Sequence, residues 1–222
     1  MSLFRYLSAQ RVDSFLSGSM RFMQMCYYQG LETAAGDTME AIRPFAPPGG
    51  LVINPGSPAS SQTPGDAMIA TVDAQKLYVF CLSRILSDHL YERFSADRCV
   101  EIRDVSRFVT RMRAGVRRVG EKRVPPLSLL MHYGPVIYYD ETLGPGPSYR
   151  IPEQVAMRKR LSFQDECEQR FIYAEADLFA FGATSLFLQR GGPFKPAPVA
   201  VPPPPEFVTI KDIGRYIVHK RP

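Results

Sequence analysis

Short runs of alternating hydrophobic and polar residues are separated by stretches of helical period, and Gly and Pro punctuate both. LFRYL, Leu3–Leu7, reads as a strand. Ser8 is a good N-cap for a short helix, Ala9–Leu16, which carries Val12, Phe15 and Leu16 on one face and closes at Gly18. Residues 19–28 (SMRFMQMCYY) alternate as a half-buried strand with Met20, Phe22 and Gln24 on one side. The unbroken apolar run at 77–83 (LYVFCLS) predicts a central strand. Ser87 or Asp88 starts a short helix through Phe94 whose apolar face is Leu90, Tyr91 and Phe94, and 99–102 is the next strand. Asp104 or Ser106 then opens a longer helix to about Val119, with Val105, Phe108, Val109, Met112, Val116 and Val119 at helical spacing.

The rest is less regular. Residues 30–42 hold an acidic patch, Glu32, Asp37 and Glu40, in a short helix or loop. Residues 43–66 are rich in Pro, Gly and Ser and read as a long surface loop, extended only at 51–53, inserted into the domain rather than dividing it. LSLLMHYGPVIYYDE at 127–141 makes one or two strands, with Pro135 at an interruption or an edge. Residues 144–147 form a turn, 152–161 read as a helix with Pro152 near its first position, and 163–173 as a strand. A second apolar run at 178–188 precedes a Pro-rich stretch at 191–205, a polyproline II crossing or linker, and 207–218 add a last strand and turn. Many short strands with few helices predict an α+β fold with mixed or antiparallel twisted sheets. Residues 1–190 make one domain, and 191–222 a Pro-rich crossing and C-terminal extension. The lack of a Gly-rich strand–loop–helix fingerprint argues against a Rossmann domain or a P-loop.

Composition changes this picture little. With 45% hydrophobic and 22% charged residues, the chain can build a core and is not globally disordered. A net charge of +5 permits an anionic partner. The positive charge concentrates on the 104–119 helix and its end, at Arg107, Arg111, Arg113, Arg117, Arg118, Lys122 and Arg123. That surface suits a solvated helix face whose cations complement the helix C-terminus, and alternatively a non-catalytic binding module for nucleic acid or another anion. The four cysteines form no Cys-x-x-Cys pair and read as free thiols of a reducing compartment, and the three histidines do not cluster, so no metal is expected. Without a signal-peptide core or a spanning apolar window, the expected location is cytoplasmic, with no membrane partner.

The stretch FQDECEQRFIY at 163–173 carries the sharpest chemistry. On a strand, Glu166, Glu168 and Arg170 share one face. Neighbouring carboxylates raise each other's pKa and an adjacent guanidinium lowers it, a setting for acid–base work or for holding a developing positive charge. The same spacing also serves as a charged, solvated edge. A magnesium-dependent nuclease using Asp88, Glu101, Glu166 and Glu168 is a weaker alternative with no spacing to support it.

Phe4-Arg5-Tyr6 on the first strand, Cys81-Leu82-Ser83 ending the central strand and Glu166-x-Glu168-x-Arg170 later, in that order, resemble the Arg–Ser–Glu plan of ADP-ribosyltransferases. They also resemble a little-characterised set of bacterial domains with Tyr-Arg-Tyr, Cys-x-Ser and Glu-x-Glu-x-Arg motifs and an aromatic-rich helix, here residues 90–94. The acidic patch lacks the Asn-Asp pair of those domains, and the 99–102 strand lacks a preceding glycine. The resemblance implies an ADP-ribosyltransferase-like fold, NAD as substrate, and transfer of ADP-ribose to a protein or nucleic acid, as in bacterial toxins and defence factors. It implies that Glu168 stabilises the ribosyl cation and that Glu166 orients or deprotonates the acceptor. Arg5 would face the pyrophosphate or the adenosine ribose, and Ser83 would bond the nicotinamide ribose or brace Glu168. Tyr6 and Tyr91 would stack on the ligand.

Overall fold

The first strand and helix stand where the pattern predicts them: β1 spans Leu3–Leu7 and α1 spans Ala9–Leu16, entered through Ser8. The structure is a computed structural model that describes residues 1–30, 37–53, 61–63, 65–140, 142, 147–191, 204–211, 213 and 217–220. Gly18 turns the chain back with φ of +93°, and a Cβ there would lie 2.0 Å from the Ile210 carbonyl oxygen, so only glycine fits. β2 is shorter than the 19–28 alternation suggests. It runs Ser19–Gln24, and Met25–Gln29 coil into a helix that buries Met25 and Cys26.

The main sheet gathers β1, β2, β3 (Tyr78–Ser83), β4 (Arg98–Ile102), β5 (Leu129–Pro135), β6 (Glu168–Glu175), β7 (Glu206–Thr209) and β8 (Ile217–Lys220). Its main path runs β7-β2-β3-β1-β4-β8, and β3 also pairs along its other edge with β6, which in turn pairs with β5. All these pairings are antiparallel. The coarse expectation of an α+β fold with mostly antiparallel sheet and few helices therefore holds. The C-terminal segment supplies both ends of the path, β7 on β2 and β8 on β4. The expected Pro-rich crossing lies largely outside the described residues, as does most of the 144–147 turn.

Alternation sends side chains of the central strands into two cores. Phe80 and Leu82 of β3 meet Phe171 and Tyr173 of β6 on one face, under Phe108, Met112 and Val116 of the long helix α2, Val105–Glu121. Val79 and Ile172 face the other way, toward Met25, Val155 and Ala156. Burial of one such large apolar side chain stabilises by about 1.5–3 kcal/mol. Asp104 caps α2 by accepting a hydrogen bond from the Arg107 amide at 3.0 Å.

Three local expectations are corrected. The 43–66 loop is more ordered than its composition suggests: Ile42–Phe45 pairs with Ala67–Thr71, and Leu51–Ile53 pairs with Ser61–Thr63. The 152–161 helix ends at Ala156, and Arg158–Arg160 becomes a strand paired in parallel with Ile137–Tyr139. The 163–173 strand begins only at Glu168, because Leu161–Glu166 wind into a 3-10 turn that Cys167 closes with φ of 44°.

Candidate active site

The site forms where the sheet branches. One edge of β3 is shared by two strands: Phe4 of β1 pairs with Ser83 at one end, and Met23 and Gln24 of β2 pair with Val79 and Tyr78 at the other. Residues 80–82 between them have no ladder partner on that edge among the described residues. Arg5 fills the gap: its Nη1 donates to the Cys81 carbonyl, and its guanidinium lies 4.7 Å from the centre of the Phe80 ring. A cleft of about 320 Å³ opens here, within the range of small-ligand sites.

The wall of the cleft is a buried ionic network. The β3–β6 register sets Glu168 beside Ser83 and Arg170 beside Cys81. Arg170 binds both oxygens of Glu168 and both oxygens of Glu40. Lys159 extends its ammonium to Glu166 at 2.7 Å, Glu168 at 3.5 Å and Glu40 at 3.8 Å. Arg93 closes the outer end, with Nε donating to Glu166 at 2.9 Å and Nη1 donating to Asp165 at 3.2 Å. The Phe163 ring packs under Lys159, 4.5 Å from its nitrogen, and under the Arg93 guanidinium at 5.2 Å. Such a network stands only because each buried charge finds an opposite one.

The carboxylates differ in character. Burial pushes the Glu168 carboxyl up, but the charges of Arg170 and Lys159, with hydrogen bonds from Arg170 and Cys81, outweigh it and hold the pKa down at about 2. Burial dominates at Glu166 and at Glu40, whose pKa values rise above the ordinary range despite their cations. Lys159 is raised: burial opposes its charge, but Glu168, Glu40 and Glu166 together overcome it. One fixed carboxylate thus lies beside one with higher proton affinity, the division of labour acid–base chemistry uses.

Glu166 reaches the cleft from the end of the 3-10 turn and not from the strand face. Arg5, Tyr6, Ser83, Glu166 and Glu168 all line the cleft, so the three distant segments do converge. Within the chain, Ser83 braces Glu166 and not Glu168. Its hydroxyl donates to the Glu166 carbonyl at 2.8 Å and accepts from the Ile85 amide at 3.1 Å, bracing Glu166 through the backbone. The Tyr6 ring packs edge-on against Tyr91 at 5.0 Å, while its hydroxyl accepts from the Ser87 amide at 2.8 Å, and burial lifts its pKa to about 12. Tyr91 is not among the lining residues; it belongs to the small aromatic cluster of Tyr6, Leu90 and Phe94.

Sequence reasoning missed Lys159, Arg93 and Tyr28, all lining the cleft, and Glu40, noted only as part of an acidic patch. Lys159 sits in Arg-Lys-Arg and read as the polar end of a helix; nothing local marks it as buried. Arg107, Arg113, Arg117 and Arg118 on α2, and Lys122 and Arg123 just past its end, are exposed. Arg117 pairs with Glu121, Arg118 donates to the Thr209 carbonyl, and Arg123 pairs with Glu206. All four cysteines are free. Among the described residues, no group of three or more His, Cys, Asp and Glu side chains is placed to hold a metal ion, and no helix is long and apolar enough to cross a membrane. Compared with known protein families, curated proteins and solved structures, the chain matches none.

Proposed function

We propose that the chain is an ADP-ribosyltransferase that cleaves NAD at the nicotinamide–ribose bond and passes ADP-ribose to a macromolecular acceptor. The observation that carries this reading is the convergence of Arg5, Ser83 and Glu168, from three distant strands, on one cleft at a branch of the sheet. Each side chain has a task there. When the bond between C1′ and the nicotinamide nitrogen breaks, its electron pair leaves with nicotinamide and positive charge develops on the ribose. Glu168, kept ionised by Arg170 and Lys159, lies ready to stabilise that charge without reorganisation. The acceptor's oxygen or nitrogen then bonds to C1′, and its proton passes to Glu166, whose burial favours taking it. Arg5, at the mouth of the sheet opening, supplies a fixed cation for the pyrophosphate.

The test is incubation with NAD labelled in the nicotinamide ring and, separately, in the adenylate. Wild-type chain should release nicotinamide, slowly to water alone and faster with an acceptor, which then carries the adenylate label. Glu168→Gln should lower the rate by about 10²–10³. Because that change also leaves Arg170 half-paired, near-ultraviolet circular dichroism must show the variant folded. Arg5→Lys, which leaves the ionic network untouched, should weaken NAD binding. Undiminished nicotinamide release by folded Glu168→Gln, or none from the wild type with any acceptor, overturns the reading.

A further inference from the structure

Beyond Arg5 the opening in the sheet continues into a second depression of about 160 Å³, and Arg5 and Arg11 line both. Arg21 and Phe207 line the second depression as well. They are cross-strand partners on β2 and β7, so their side chains leave the same face of the sheet. Among the described residues neither Arg11 nor Arg21 forms an ion pair. Arg11 is held below the ordinary arginine range by burial and by the nearby charges of Arg21 and Arg5. Guanidiniums gathered without a carboxylate between them suit an external anion.

Phe207 also borders a third depression, of about 270 Å³, on the other side of β7, where Arg118, Lys122 and Arg123 at the end of α2 contribute their charges. The ring is half exposed, at 51%. One carboxylate, Glu206, lies among these cations and is engaged by Arg123 and by the Tyr173 hydroxyl. An exposed aromatic flanked on both sides by cationic hollows fits a flexible polyanion that has flat rings to stack, and a lone phosphate would use only one side.

We infer that these depressions form a track for single-stranded nucleic acid, crossing β7 at Phe207 and ending at Arg11 and Arg5 beside the cleft. Backbone phosphates lie against Arg21 and Arg11 on one side and Arg118 and Lys122 on the other, and a base stacks on Phe207. As a binding surface the track is independent of the chemistry in the cleft; that it delivers the acceptor rests on the transferase reading.

The test measures fluorescence anisotropy of a labelled mixed-sequence DNA strand of about 20 nucleotides, longer than the usual site of a single-strand binder, without NAD. Binding should weaken steeply with salt. The strand should bind more tightly than a duplex of the same length and resist competition by polyglutamate. Arg11→Gln with Arg21→Gln should lose about tenfold in affinity and flatten the salt dependence. Phe207→Ala should lose about tenfold while leaving the salt dependence unchanged. Arg118→Gln with Lys122→Gln, at the far side, should also lose affinity, and all variants must melt as the wild type does. Equal binding of duplex, full displacement by polyglutamate, unchanged affinity in the variants or no binding at low salt overturns the track. Strand binding without nicotinamide release would sink the transferase reading and leave the track standing, and the reverse result would do the opposite.

Discussion

Arg170 grips Glu168, two residues before it on the same strand, with Nε to Oε1 at 2.7 Å and Nη2 to Oε2 at 3.0 Å. The rest of the guanidinium is equally committed: Nη1 and Nη2 reach the two oxygens of Glu40 at 2.8 and 3.0 Å, and Nη1 also donates to the Ala156 carbonyl at 2.8 Å. All five donors of the fork are used, which an ammonium with three cannot imitate. Arg170→Met should therefore destabilise the fold by about 3–5 kcal/mol, because two buried carboxylates lose their cation. Arg170→Lys should recover only part of that. Urea denaturation checks both, and a Lys variant as stable as the wild type would show that the fork geometry is irrelevant.

Lys159 neutralises from the opposite side. Without it, Glu40 and Glu168 depend on Arg170, and Glu166 depends on Arg93. In Lys159→Met the three carboxylates should bind protons more tightly in the folded state than in the unfolded chain. A carboxyl with a raised folded pKa contributes stability that is present below its unfolded pKa and lost as pH rises through the folded one. The variant should thus melt closer to wild type at about pH 5 than at about pH 8. Thermal melts at the two pH values read this out; a deficit that is the same at both would contradict it.

Glu168 predicts the opposite pH dependence in the wild type. Its folded pKa of about 2 lies below the ordinary 4.5, so its contribution is present above 4.5 and fades as pH falls toward 2. That contribution is on the order of a few kcal/mol. Glu40 and Glu166, both raised, do not fade in that window. Acid denaturation of the wild type should be steep between those limits, and Glu168→Gln, less stable at neutral pH, should show a flatter acid limb. Equal slopes would mean that Glu168 is not held ionised by the fold.

Apolar runs and helical spacing were enough to place β1, β3 and β4 and the long helix, because each presents a long apolar face to the core through Leu3, Phe80, Ile102 and Phe108. Alternation did not reveal where β6 begins. Glu166 and Glu168 sit two apart as on a strand, but Cys167 takes a left-handed conformation between them. Their shared destination comes from the turn before the strand. Lys159 and Glu40 were illegible for a different reason. A lysine between two arginines reads as solvated, and its burial depends on carboxylates 7, 9 and 119 positions away, Glu166, Glu168 and Glu40. Likewise, Pro, Gly and Ser content could not show that Ile42–Phe45 would find Ala67–Thr71 as a partner.

Ser83 offers a way to separate positioning from chemistry. Its hydroxyl ties the Glu166 carbonyl and the Ile85 amide to the end of β3, where β1 and β6 also meet. Ser83→Ala leaves both backbone groups short of a partner, at a cost of about 1–3 kcal/mol. It leaves untouched the Arg170 clamp on Glu168 and the Arg5 bond to the Cys81 carbonyl. If Ser83 acts by holding the turn that carries Glu166, the alanine variant should lose ADP-ribose transfer to an acceptor more than it loses nicotinamide release to water, with KM for NAD little changed. Ser83→Thr, which keeps the hydroxyl, should restore transfer. A rise in KM for NAD as the main effect would instead place the hydroxyl on the substrate and remove the brace from the argument.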